Sequence, residues 1–177
     1  MRYRRVKRPG GTYFFTVNLA ERNRTFLVDY VDSLRSVIRD VMARHPFSID
    51  AAVILPDHLH ALWTLPAGDC DYPIRWGLIK AGFSRRVPLG EFCNLSRISR
   101  GERGIWQRRY WEHLIRDERD YCRHVDYIHF NPVKHGYVDH ACDWPYSSIH
   151  RYIAGGKLDR GWAGKLEIEQ EDDFGET

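Results

Sequence analysis

The sequence predicts an α+β domain built on an antiparallel sheet, and three observations carry that expectation. Short runs of β-branched and aromatic residues alternate with segments of helical periodicity; two of the runs adjoin across Pro56-Asp57; and the signals come in the order strand, helix, strand, strand, helix, strand, helix. After a basic arm containing Arg2, Arg4, Arg5, Lys7 and Arg8, Gly11–Leu19 follows a Gly-Gly turn and reads as the first strand. Val31–Arg44 repeats Val31, Leu34, Val37, Ile38, Val41 and Met42 at helical steps, with Asp29 or Asp32 as candidate cap and His45-Pro46 as the stop. Phe47–Leu55 and His58–Leu65 predict an antiparallel hairpin. Tyr72–Phe83 is expected as a second helix, Ser84–Gly104 as a basic loop, and Trp106–Arg116 as a fourth strand or extended segment. Asp117–Asn131 is a helix capped by Asp117, its end signalled by Pro132 and Gly136. Trp144–Trp162 closes the domain as a short helical or irregular piece. The economical solution is a split β-α-β unit of the ferredoxin-like kind, β-α-β-β-α-β, with the additional C-terminal helix packed on the open sheet face.

With 177 residues, 43% hydrophobic and 29% charged, the chain fits one soluble domain and excludes fibrous and low-complexity classes. Ala51–Leu55 is its longest apolar run, far short of a membrane span, and the expected location is the cytosol. Cys70, Cys93, Cys122 and Cys142 are too widely spaced for a Cys-x-x-Cys motif and read as reduced thiols.

Charge divides the chain into a domain, residues 1–165, and an acidic, mobile tail, residues 166–177. The formal net charge is +3, yet the tail holds six acids and no Lys or Arg, which leaves +9 on the domain. A second basic cluster spans Arg85, Arg86, Arg97, Arg100, Arg103, Arg108 and Arg109. Such a field suits a polyanion, and the 14% aromatic content offers faces for unpaired bases. From charge alone, solvated faces explain the same runs equally well. The tail, tethered to a basic body, is either a competitor for DNA or a solubilising appendage.

Two patterns carry chemistry. In a strand, the imidazoles of His58 and His60 point to one face while Leu59 enters the core, a geometry for chelating a metal or for two hydrogen-bonded histidines. On the helix Asp117–Asn131, Tyr127 and Asn131 are four residues apart and share a face, with His124 and Tyr121 nearby on the preceding turns. A tyrosine hydroxyl can attack a phosphodiester, and an amide oxygen suits a divalent cation. Taken singly, Tyr127 reads as a helix residue with its ring in the core and its hydroxyl satisfied at the surface.

Pro56-Asp57-His58-Leu59-His60 with Trp63–Pro66, then Trp106–His113, then His124–Gly136 with its Asn-Pro-Val-Lys-His-Gly ending, together resemble the REP-associated tyrosine transposases. These are relatives of the single-tyrosine insertion-sequence transposases within the HUH endonucleases, and the likeness runs from about Gly10 to Trp162. The resemblance implies a metal-dependent enzyme that cuts and joins single-stranded DNA. Tyr127 would be the nucleophile leaving a 5′-phosphotyrosine; His58, His60 and Asn131 would bind Mg²⁺ or Mn²⁺, although insertion-sequence relatives commonly place Gln at the third position. It also implies a REP-type hairpin as substrate and a monomeric enzyme. Arg4, Arg5, Arg108, Arg109, Trp111, His113 and Lys134 are candidate DNA contacts, with a solvated arm, core aromatics and a helix-terminal lysine as their plain alternatives. A non-catalytic single-strand-binding module and a phosphodiesterase that uses water remain the rival functions.

Overall fold

The computed structural model describes residues 7–88, 95–162 and 174–175. The elements are β1 (Thr12–Asn18), a short α1 (Phe26–Asp29), α2 (Val31–Arg44), β2 (Ser48–Ile54), β3 (His58–Thr64), α3 (Tyr72–Arg86), a short α4 (Leu95–Ile98), β4 (Trp111–Leu114), α5 (Glu118–Lys134), a 3-10 turn at Ala141–Asp143 and α6 (Ile149–Ala154). The sheet runs β2-β3-β1-β4, and every neighbouring pair is antiparallel. This is the ferredoxin-like arrangement, with β3 and β1 at the centre.

Strand alternation divides the sheet into two faces. Tyr13, Phe15 and Val17 of β1 and Leu59, Ala61 and Trp63 of β3 join a core with α2 and α3, where the Trp63 and Trp76 rings stack 4.2 Å apart. Phe14, Val53 and Leu62 face the other way and pack against Val125, Tyr127 and Ile128 of α5. In α2 the expected stripe is buried at Val31, Leu34, Val37 and Val41. Its neighbour α3 carries Gly82 at the crossing, where an added Cβ would lie 2.7 Å from Val37 Cγ1, so glycine is what lets the helices approach.

Several expected boundaries shift for local reasons. Neither Asp29 nor Asp32 caps α2: the preceding residue is Tyr30, without a side-chain cap bond, and Asp29 accepts from Thr25 Oγ1 at 2.6 Å. The basic stretch after Phe83 is not all loop, since α3 continues to Arg86 and α4 forms at Leu95–Ile98. The fourth strand is short. Only Trp111–Leu114 pairs with β1, while Trp106 touches the edge through an isolated bridge to Leu19. Pro132 does not end α5. It removes one donor in the last turn, and the helix runs on to Lys134, where Gly136 at φ 70° ends it. There Gly136 N donates to Val133 O and Tyr137 N to Pro132 O, the paired bonds of a glycine-terminated helix. Asp117 does cap the other end, accepting from Asp120 N at 2.8 Å. Cys70, Cys122 and Cys142 are free thiols, and Cys93 lies outside the described residues. Among the described residues no helix is long and apolar enough to cross a membrane.

Candidate active site

His58 and His60 lie on the sheet face that α5 covers, 1% and 0% exposed, with ring centroids 5.0 Å apart. Each imidazole is oriented by a partner on Nδ1. His58 Nδ1 lies 2.8 Å from Asp57 Oδ1, and because a carboxylate can only accept, the proton sits on that nitrogen. His60 Nδ1 lies 2.8 Å from Thr16 Oγ1, its cross-strand neighbour. The Thr16 hydroxyl spends its own proton on Phe174 O at 2.6 Å, so here too Nδ1–H donates. Both rings therefore carry their lone pair on Nε2, the tautomer that ligates metals, and an outer carboxylate or hydroxyl fixes each ring. His58 Nε2 is buried without a hydrogen-bond partner among the described residues. An orphaned imidazole nitrogen at this depth fits a bound divalent cation.

Asp57 is the anchor of this arrangement. Burial raises its carboxyl, but hydrogen bonds from His58 and Arg22 more than reverse that, bringing it down to about 2. Arg22 Nε pairs with Asp57 Oδ2 while its Nη1 donates to Asn18 Oδ1 at 3.1 Å, tying the loop after β1 to the start of β3.

Opposite the histidines, α5 presents Tyr127 and Asn131 along one stripe that continues to His135, the residue capping its end. The Tyr127 ring lies 5.2 Å from that of His60, and the His135 ring 5.2 Å from that of His58. Asn131, fully buried, stands one turn from each of these residues on the same stripe. Tyr127 is itself 1% exposed. Its hydroxyl accepts from Lys134 Nζ at 3.2 Å, and the ammonium lies 4.9 Å from the ring centre. The other face of the ring is covered from within the chain: Phe174 stacks on it at 3.7 Å and 10°.

A second cluster able to hold a cation sits at the other end of α5, where ligand atoms of His113, Asp120 and His124 fall within 4.8 Å of one another. His113 Nε2 is 2.8 Å from Asp120 Oδ2, which also accepts from Arg116 N. Burial raises the Asp120 carboxyl, and these bonds overcome it and hold it low. His124 Nδ1 donates to Asp120 O at 2.7 Å, and burial pushes its imidazole down to about 4, so it is neutral.

The expected residues are therefore partly assembled. His58, His60, Tyr127, Asn131 and Lys134 converge. His113 is engaged with Asp120 instead, and Trp111 is half-buried against the α5-side core. Arg108 pairs with Glu102 at 2.9 Å, and Arg109 is exposed. Arg108 lines a cleft of about 690 Å³ with Lys80, Arg85, Arg97 and Arg103, a basic concavity suited to a phosphate backbone. Arg4 and Arg5 lie outside the described residues. Sequence reasoning passed over Thr16, Arg22, His135 and Phe174. His135 stands within the Asn-Pro-Val-Lys-His-Gly stretch at helical spacing from Tyr127, a signal available in the sequence; the others depend on register and on the tail.

Comparison with known proteins places the chain in a family. No family model matches the chain. A REP-associated tyrosine transposase of Escherichia coli is 46% identical over 164 residues, covering 93% of this chain and 92% of that protein. A Haemophilus influenzae protein whose name places it in the same family is 44% identical over 174 residues, covering 97% and 98%. The solved structure of a REP-associated tyrosine transposase bound to a REP hairpin superposes with a TM-score of 0.82 at 43% identity, over 99% of this chain and 95% of that one. With two relatives matched almost end to end and a solved relative of the same fold over nearly the whole chain, the chain belongs to the REP-associated tyrosine transposases, a family of DNA transposases.

Proposed function

We propose that this transposase is a metal-dependent endonuclease and strand transferase that acts on single-stranded, REP-type DNA hairpins through a 5′-phosphotyrosine. The observation that carries the reading is the Tyr127 ring held on α5 5.2 Å from that of His60, beside two histidines of one sheet face whose Nδ1 atoms are both engaged and whose Nε2 atoms keep the lone pair. The relative solved with a REP hairpin supports the substrate class.

His58, His60 and Asn131 would hold Mg²⁺ or Mn²⁺; what a bound cation supplies is neutralisation of the scissile phosphate oxygens. Tyr127 Oη forms the new bond to phosphorus as the bond from phosphorus to the 3′ oxygen breaks. The phenolic proton leaves to solvent, and the departing 3′ oxygen takes one up. The ester keeps the energy of the broken bond, so a second 3′-hydroxyl reverses the step without ATP. Asp57 and Thr16 hold the histidine rings against rotation during this exchange. The active unit is proposed to be a monomer. Arg108, Arg109, Arg4 and Arg5 are proposed to serve the DNA backbone.

The test is a denaturing gel of the protein with labelled hairpin DNA and Mn²⁺, run beside Tyr127→Phe and His58→Ala. A covalent protein–DNA band is expected from the wild type and from neither variant. Cleavage that persists in Tyr127→Phe would point to metal-activated water, and tight binding with no cleavage to a binding module.

A further inference from the structure

We propose that Lys134 is a catalytic residue of the transesterification, its ammonium group stabilising the charge that gathers on the Tyr127 oxygen as the bond to phosphorus forms and breaks. This rests on the assignment of Tyr127 as nucleophile.

The sequence places Lys134 at the end of a helix, where a lysine ordinarily stays in solvent and favours the negative end of the helix dipole. The structure puts the amine elsewhere. From the last turn of α5 it reaches back two turns and donates to Tyr127 Oη at 3.2 Å, with Nζ 4.9 Å from the ring centre. The Schellman-type ending at Gly136 lets Pro132 sit in the final turn without ending the helix, which keeps Lys134 helical and on the stripe side of Tyr127.

Two physical reasons give the contact a role in the reaction. Tyr127 is almost wholly buried, and charge on a buried oxygen is strongly disfavoured unless a cation or donor meets it. A hydrogen bond from an ammonium to an oxygen is stronger when that oxygen bears charge than when it is a neutral hydroxyl or an ester. The interaction is therefore greatest in the transition states on either side of the phosphotyrosine, which is the condition for accelerating a step. In the cut, the Tyr127 oxygen bonds to phosphorus and the 3′ oxygen leaves; in the joining step a 3′-hydroxyl attacks and the Tyr127 oxygen leaves. The same ammonium serves as that oxygen enters and as it departs. A Lys134 that only met a DNA phosphate would act on affinity instead.

The two roles separate in one set of measurements. Single-turnover rates of adduct formation in Mn²⁺ and hairpin affinities across a salt series are taken for wild type, Lys134→Met, Lys134→Arg and Lys134→Ala, with Tyr127→Phe as control. The expected result is a loss of about 100-fold or more in rate for Lys134→Met, in line with removal of one donor to a reacting oxygen. Hairpin affinity should stay within about threefold, Lys134→Arg should recover part of the rate, and added alkylamine should partly rescue Lys134→Ala, which a packing role could not produce. A normal rate in Lys134→Met overturns the proposal, as does a rate loss accounted for by weaker binding with a salt slope shallower by about 0.7–0.9. Should the wild type form no adduct at all, the assignment of Tyr127 fails first, and Lys134 with it.

Discussion

Phe174 comes from the far end of the chain to stack on Tyr127. Its ring covers one face of the Tyr127 ring at 3.7 Å, and its carbonyl accepts from the Thr16 hydroxyl, so the proposed nucleophile is partly screened by the chain itself. Aromatic stacking of this kind is worth about 0.5–1.5 kcal/mol, so Phe174→Ala should raise the rate of adduct formation roughly 2- to 10-fold in a time-resolved gel assay. An unchanged or lower rate would mean that the ring supports the site instead of covering it. At this scale the sequence was most informative where geometry is local. The shared direction of His58 and His60 follows from strand alternation, and the alignment of Tyr127 with Asn131 follows from helical spacing. Thr16 and Phe174 were not legible, because cross-strand register and a distant tail residue bring them to His60 and Tyr127. Asp57 was visible as a neighbour of His58, but its job required the 2.8 Å contact to Nδ1.

Among the elements, the crossing of α2 and α3 sets the base on which the sheet rests. Glycine to alanine in an exposed helix usually stabilises by about 0.4–1 kcal/mol, yet at Gly82 the added methyl meets Val37 at 2.7 Å. Gly82→Ala should therefore destabilise, by about 1–3 kcal/mol in urea unfolding, a reversal of sign that reports close packing. The periodicity of α2 was readable to its last residue, whereas the end of α5 was misjudged at Pro132. A proline deletes only its own donor, and in a final turn the helix tolerates that loss, so the glycine four residues on decides the end. Likewise β4 is shorter than its apolar run, since pairing with β1 covers only Thr16 to Tyr13.

For the molecule as a whole, burial of two histidines makes stability depend on pH. Burial holds His124 and His129 at about 4, against an ordinary value of 6.5. Between those limits the unfolded chain binds protons that the folded chain refuses, so stability falls as pH drops from 6.5 towards 4, by up to about 1.4 kcal/mol per pH unit for each ring. Urea midpoints at pH 7, 6 and 5 should show that decline, and His129→Gln should flatten it. Asp57 and Asp120 act in a lower window: their depressed carboxyls contribute fully above 3.8 and lose that contribution only as pH falls further. The ferredoxin-like order was legible from the succession of strand and helix signals, because the hairpin and the two crossovers leave few ways to close such a sheet. The side taken by α5 was legible too, since with α2 and α3 on one face the last helix has the open face left to cover; its depth against β3 was not, because no local pattern sets which of its residues meet the histidines.

Strand β3 serves two masters on alternate residues: Leu59, Ala61 and Trp63 belong to the α2–α3 core, His58 and His60 to the site. Its alignment is therefore a matter of odd and even. Slippage by one residue against β1 would carry Leu59 and Ala61 into the place of the imidazoles and drive both histidines into a greasy interior, losing site and core together. Slippage by two would restore the polarity of each face yet leave only one histidine opposite Thr16 or Asn18. Insertions and deletions in the short connection before His58 are thus felt as a phase error, and a library of loop lengths there should sort by parity in folding while only the native length cuts DNA.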